Sequence, residues 1–251
     1  AGGDFSHALA AAEEMVLHGT SVGVVVGLGS HGIALPPVLV AGTEEQKRRF
    51  VPPVLSGDKI AALAITEPSG GSDVARVRTR AVRDGDFYVV NGAKTFITSG
   101  TRADLVTTAV RTGGEGHAGV SLLVIEASTP GFTVSKKLRK TGWWASDTAE
   151  LSFEDCRVPA SHLLGEENGA FAIIMQNFAT ERLYLAGNCI AIAELAYRES
   201  IRYAQQRQAF GKTLAAFQIT RHKLADMATR IAAARALTSE VVVRHRRGEM
   251  V

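Results

Sequence analysis

Cysteine is scarce in this sequence: Cys156 and Cys189 are the two in 251 residues. So wide a separation supports neither a disulfide framework nor a zinc ligand set, and a reducing compartment suits it. The seven histidines form no H-E-x-x-H or comparable pattern, so no metal site is expected. Charge of one sign is lacking as well. Lys and Arg number 28 against 25 Asp and Glu, a net +3, too little to imply nucleic acid. The basic clusters at Lys136, Lys137, Arg139 and Lys140 and at Arg244, Arg246 and Arg247 have no aromatics interleaved for base stacking. Arg76, Arg78 and Arg80 alternate with Ala75, Val77 and Thr79, which reads as the wet face of a half-buried strand. No apolar run reaches the ~18 residues of a membrane span. The longest, near Val22 to Val40, is broken by Gly27, Gly29, Ser30, Gly32 and Pro36-Pro37.

What is present fits a globular chain with a substantial core, since 46% of residues are hydrophobic. The length allows one large domain or two to three small ones. Phe5 to Leu17 is rich in helix-forming Ala, Glu, Met and Leu. Thr43-Glu44-Glu45-Gln46 is a capping-box pattern that opens a helix toward Leu55, with Gly57 ending it and Pro52-Pro53 shortening it. From Ile60 the period changes. Phe87 to Ile97, Leu105 to Val110, Val120 to Ile125 and Glu150 to Val158 read as short strands between turns. Strands with no helices between them predict a compact antiparallel sheet or barrel. After Gly165 helical periodicity returns, with Asn168 as a cap and a helix through Ile190 or beyond. Leu224, Met227, Ala228 and Ile231 mark one apolar face of a later helix. The expected domains are 1–58 helical, 59–164 β-barrel and 165–251 helical, an α+β fold.

Two local patterns point elsewhere and are set aside. Gly27-Leu28-Gly29-Ser30-His31-Gly32 satisfies G-x-G-x-x-G after the strand-like Val22 to Val26. A dinucleotide fold needs a helix starting within this turn, and Pro36-Pro37 leaves no room for one. Close helix–helix packing is the expected use of these glycines. Gly211-Lys212-Thr213 resembles the end of a phosphate loop, but Gln206 stands where its first glycine belongs. Neither Ser72 nor Ser146 sits in a G-x-S-x-G elbow.

Two runs carry more. Ala64-Ile65-Thr66-Glu67-Pro68-Ser69-Gly70-Gly71-Ser72-Asp73 is a short apolar strand opening into a turn of hydroxyls, glycines and carboxylates. Asn91-Gly92-Ala93-Lys94-Thr95-Phe96-Ile97-Thr98-Ser99-Gly100 is a strand that places Phe96 and Thr98 on one face. An aromatic plane with a hydroxyl two residues away can pack against and hydrogen-bond one conjugated ring. Together these runs resemble the middle domain of the acyl-CoA dehydrogenases, a family of FAD flavoproteins. Residues 140–148 and 153–159 are similar to the end of that domain. Asn177-Phe178-Ala179-Thr180-Glu181-Arg182-Leu183 and Gln206-Arg207-Gln208-Ala209-Phe210-Gly211-Lys212 are similar to its C-terminal helices. The matches run in order from about Gly42 to Met227. Arg76 departs from the pattern, which usually has a small residue there.

The resemblance implies a helical, β-barrel, helical architecture in a homodimer or homotetramer, with the first helices and the last C-terminal part outside this chain. It implies FAD-dependent conversion of an acyl-CoA thioester to the enoyl-CoA, with electrons passed to an electron-transferring flavoprotein. It further implies that Leu63, Ile65 and Thr66 line the flavin, that Phe96, Ile97 and Thr98 wall it, and that Ser72 touches both cofactor and substrate. Arg207, Phe210 and Gln218 would contact FAD, Arg207 and Phe210 that of a neighbouring subunit. Glu181 would be the base that removes the α-proton, as in isovaleryl-CoA and long-chain members. Other members carry that glutamate in a later C-terminal segment. Arg182 would contact the CoA portion or stabilise Glu181. A bacterial cytoplasm or a mitochondrial matrix is the implied location. A flavin oxidase or monooxygenase of the same fold, or a nicotinamide-binding Rossmann enzyme, are the alternative readings.

Overall fold

The structure, a computed structural model, describes residues 4–249. It opens with helices α1 (Phe5–Gly19), α2 (Val22–Gly29), α3 (His31–Ala34), α4 (Pro36–Ala41), α5 (Glu44–Phe50) and α6 (Pro52–Leu55). Strands follow: β1 (Ala61–Ala64), β2 (Arg80–Asp84), β3 (Phe87–Thr98), β4 (Leu105–Arg111), β5 (Val120–Glu126), β6 (Phe132–Lys137), β7 (Thr148–Pro159) and β8 (Leu163–Leu164). Helix α7 (Ala170–Gln206), the hairpin β9 (Gln208–Ala209) and β10 (Lys212–Thr213), and helix α8 (Gln218–Arg246) complete it. Two compact units result, one of Val26–Phe178 and one drawn from the residues up to Val25 and from Ala179 on.

Local chemistry accounts for several boundaries. The Thr43 hydroxyl accepts from the Gln46 amide at 3.2 Å while the Gln46 side chain accepts from the Thr43 amide at 2.8 Å, a complete capping box. The Gln46 amide nitrogen also donates to the carbonyls of Ser161 and Leu163, joining α5 to the strand end near β8. Pro36 and Pro37 occupy the first turn of α4, where their missing amides cost nothing.

Val22 to Val26 is helical rather than strand-like, because burial of Val25 overrides the β preference of valine. Residues Val22–Ala41 are long and apolar enough to cross a membrane by length and composition. The structure divides them among α2, α3 and α4, and Ala34, Leu35 and Val38 enter a protein core. With helices where a parallel sheet was needed, the nicotinamide alternative falls. Gly27 approaches the chain at Ala145 and Ser146, not another helix, while Gly29 and Gly32 meet nothing within 4 Å of an added Cβ. Asn168 does not cap α7 with its side chain; its Oδ1 accepts from the Thr112 hydroxyl.

In the Val26–Phe178 unit the strands form one eight-stranded sheet in the order β6-β7-β3-β2-β4-β5-β8, with β1 on β4. The antiparallel expectation holds for the long pairs, but β1 and β2 both run parallel to β4. They follow each other along it, Ala64 opposite Thr108 and Arg80 opposite Arg111. The intervening residues, 65–79, leave the ladder and rejoin it a short step further on. That excursion holds the glycine turn.

Successive residues of β4 and β5 enter different cores. Leu105, Ala109, Leu122 and Val124 pack with Leu35, Val38, Phe50 and Ile174 on one face. Val106, Val110, Leu123 and Ile125 pack with Tyr88, Val90 and Phe153 on the other. Covering both faces explains why these strands read as unbroken apolar runs. In the other unit, Ala12, Val16, Val25 and Ala191 form a small core. Arg235 of α8 ion-pairs with Glu13 of α1 at 2.6 Å and with Glu194 of α7 at 3.6 Å.

Candidate active site

The glycine turn is held by one buried ion pair. Lys94, wholly inaccessible on β3, donates from Nζ to the Ile65 carbonyl at 3.0 Å and to Glu67 Oε1 at 2.9 Å. Glu67 accepts further from the Arg78 amide at 2.7 Å and the Thr79 amide at 2.8 Å. The two ends of the excursion are thereby tied to one carboxylate. Burial pushes the Glu67 carboxyl up, but Lys94 and Thr79 outweigh it and hold it below the usual range. Burial takes the Lys94 ammonium down to about 8 against the pull of Glu67. Within the turn, Glu67 and Gly70 exchange backbone hydrogen bonds of 3.0 Å. Gly71 lies so close to Thr66 that a Cβ there would come to 3.0 Å of the threonine methyl. Neither Glu67 nor Lys94 was assigned a role from sequence. Both stand in the two runs quoted above, and a lysine in the middle of a strand-forming run was the available signal.

The Thr95 amide donates to the Thr66 carbonyl at 2.9 Å, so the end of β1 lies beside the middle of β3. Here β3 departs from simple alternation. Its pairing with β7 shifts register between Lys94 and Ile97, Lys94 and Thr95 are both buried, and Phe96 takes φ 59°. The bulge turns the Phe96 ring outward, 67% exposed, while Thr98 stays half-buried. A core role for Phe96 is thereby excluded. Ile97 is buried in the core, so its side chain does not wall the site; only its main chain can. Ile65 likewise sends its side chain toward the core and gives its carbonyl to Lys94. Leu63 and Thr66 are half-buried, and Ser72 is exposed. The structure thus joins Leu63, Ile65, Thr66, Phe96, Ile97 and Thr98 at two neighbouring strands.

The other residues singled out belong to the other unit, on its segment from Ala179 on. Glu181 is half-buried on α7, and burial raises its carboxyl above the usual range despite the opposing Arg182 charge. Arg182 itself is exposed. Phe210, at φ 53° in the β9–β10 turn, is 96% exposed, and Arg207 and Gln218 are exposed beside that hairpin. The Phe210 ring is nearly bare on a tight turn, and within its own chain it meets the Phe217 ring edge-on at 6.4 Å.

Profiles of the acyl-CoA dehydrogenase N-terminal, middle and C-terminal domains match residues 1–58, 62–156 and 168–251 in that order. This chain belongs to the acyl-CoA dehydrogenase family. It is 41% identical to an acyl-CoA dehydrogenase of Bacillus subtilis, over 99% of this chain and 65% of that one. It is 44% identical to the mitochondrial long-chain specific acyl-CoA dehydrogenase of Rattus norvegicus, over 85% of this chain and 50% of that one. A probable acyl-CoA dehydrogenase from Mycobacterium abscessus has a solved structure that superposes with a TM-score of 0.97 at 52% identity, covering 99% of this chain and 66% of that one. The chain therefore spans half to two thirds of these relatives. FAD is the cofactor of the family. The residues present fit a flavin ring: an outward aromatic plane, a half-buried hydroxyl two residues on, and a glycine turn that an added Cβ would crowd.

Proposed function

We propose that this chain provides the ring-binding face and the catalytic carboxylate of an FAD-dependent acyl-CoA dehydrogenase. The whole enzyme would convert a saturated acyl-CoA to the α,β-enoyl-CoA and pass electrons to an electron-transferring flavoprotein. The outward Phe96 ring on its bulge carries this reading, because an apolar ring left 67% exposed beside polar hydroxyls calls for a flat partner. FAD, when bound, supplies the acceptor for the hydride leaving the β-carbon.

Everything else falls to the chain. Phe96 would pack on the ring, and the Thr66 and Thr98 hydroxyls would hydrogen-bond its edge, with Thr98 placed to stabilise negative charge there. Glu181 removes the α-proton, and its raised pKa makes it a stronger base than an exposed glutamate at neutral pH. Ser72 and Arg182 position the thioester. Arg207 suits the cofactor pyrophosphate with its planar fork, and Phe210 and Gln218 support the same cofactor in a dimer or tetramer. With the base at Glu181, the favoured substrates carry branched short or long acyl chains.

The test is Glu181→Gln in the full-length protein. FAD stays bound and yellow, while the rate of bleaching by acyl-CoA falls about 10²–10⁴-fold. Bleaching at the wild-type rate places the base elsewhere.

A further inference from the structure

Lys94 Nζ has two acceptors among the described residues, the Ile65 carbonyl at 3.0 Å and Glu67 Oε1 at 2.9 Å. An ammonium offers three N–H donors and a neutral amine two. Both contacts therefore survive with the charge present or absent. Holding the turn explains the contacts and not the charge. That charge is finely balanced, since Lys94 is wholly inaccessible and burial takes it down to about 8. Glu67 is the charged group that acts on it. From β7 the residue opposite Lys94 is Leu151, while Glu150 lies opposite Lys136 of β6. Arg78 gives its amide to Glu67 but is itself exposed.

Its position is one peptide behind the hydroxyl proposed to meet the ring. Ile65, whose carbonyl takes the Lys94 hydrogen bond, precedes Thr66, and the Thr66 carbonyl accepts from the Thr95 amide at 2.9 Å. Adjacent residues of β3 thus grip both sides of the Thr66 peptide. A hydride carries two electrons and one proton, so a neutral ring that accepts one gains a negative charge. In a low-dielectric interior that charge favours the protonated form of an amine close by. Glu67 cannot answer it, being held ionised by its partners. We infer that Lys94 is a positioning residue that fixes the Thr66 edge and takes up a solvent proton when the ring it backs becomes negative. This rests on the flavin reading above. The balance closes: two electrons and one proton arrive as hydride, and one further proton passes from solvent to the lysine amine. Below about pH 8 the amine already holds that proton, so the extra uptake belongs to the alkaline side.

The experiment follows the midpoint potential of bound FAD against pH, by spectroelectrochemical titration of the full-length holoprotein. In the wild type the slope steepens about twofold above about pH 8, from one proton per two electrons to two. Ionisation of the reduced ring itself works the other way, flattening the slope as pH rises. Lys94→Met combined with Glu67→Gln removes both charges without stranding a carboxylate, and keeps one slope across the alkaline range. Glu67→Gln alone takes away the counter-ion and moves the steepening to lower pH. A lysine that only propped the turn would lower stability in these variants and leave the slope unmoved. The inference is overturned if the wild type shows no steepening, or if the double variant retains it. Should the double variant shed FAD, the wild-type slope alone decides. A wild type without steepening whose flavin acyl-CoA still bleaches sinks this inference and leaves the proposed function standing. Full-length protein that retains no flavin overturns both.

Discussion

A lysine with no exposed surface survives at position 94 because each of its acceptors needs it. Removing Lys94 leaves the Glu67 carboxylate buried against two amides with its counter-ion gone. Lys94→Met is expected to cost about 3–5 kcal/mol in urea unfolding, and adding Glu67→Gln to recover part of that loss. The pH dependence has a definite sign. With Lys94 near 8 when folded and 10.5 as a free side chain, its buried charge opposes folding below about pH 8. The native state gains stability as pH climbs between those values, because the unfolded chain holds the extra proton there. Glu67 has the same sign in a lower window: its lowered pKa gives stability that is present above its ordinary value and is lost as pH falls. The Lys94→Met variant therefore lacks the alkaline gain, and unfolding at pH 7 and 9.5 checks it. Phe96 was legible from sequence as an aromatic two residues from a hydroxyl. Its outward pose was not, since that depends on a register shift against β7 that no local pattern encodes.

The long strands were legible as elements because two covered faces leave a continuous apolar run between turns. Their neighbours were not: β1 and β2 are too far apart in sequence for a short-range signal to place both along β4. The helix at Val22 was misread for the opposite reason, a run of β-branched residues whose packing overrode propensity. Glycines show the same division. Gly92 on β3 takes φ 148°, and a Cβ there would sit 2.7 Å from the Thr79 backbone. Gly187 on α7 would meet only the flexible end of Leu9, also at 2.7 Å. Gly92→Ala is expected to destabilise by about 2 kcal/mol or more, through strain and displaced backbone. In Gly187→Ala a helix-propensity gain of about 1 kcal/mol offsets the crowding, so thermal melting stays near wild type. A reversed ranking would overturn this reading of both contacts.

At the scale of the whole molecule, the proposed function draws on chain segments that the sequence keeps far apart. The strands proposed to bind the ring end before Gly100, whereas Glu181, Arg207 and Phe210 come long after. If Arg207 and Phe210 serve a neighbouring subunit's cofactor, diluting the holoprotein below its assembly threshold releases FAD together with subunits. Sedimentation with absorbance at the flavin band reads both at once, and FAD retained by dispersed monomers would contradict the shared arrangement. The ties that shape the glycine turn span 27 and 29 residues, from Glu67 and Ile65 to Lys94. A nascent polypeptide that has not yet docked β3 consequently has no cradle to offer. Under the proposed flavin reading, coenzyme loading would wait for completion of the sheet.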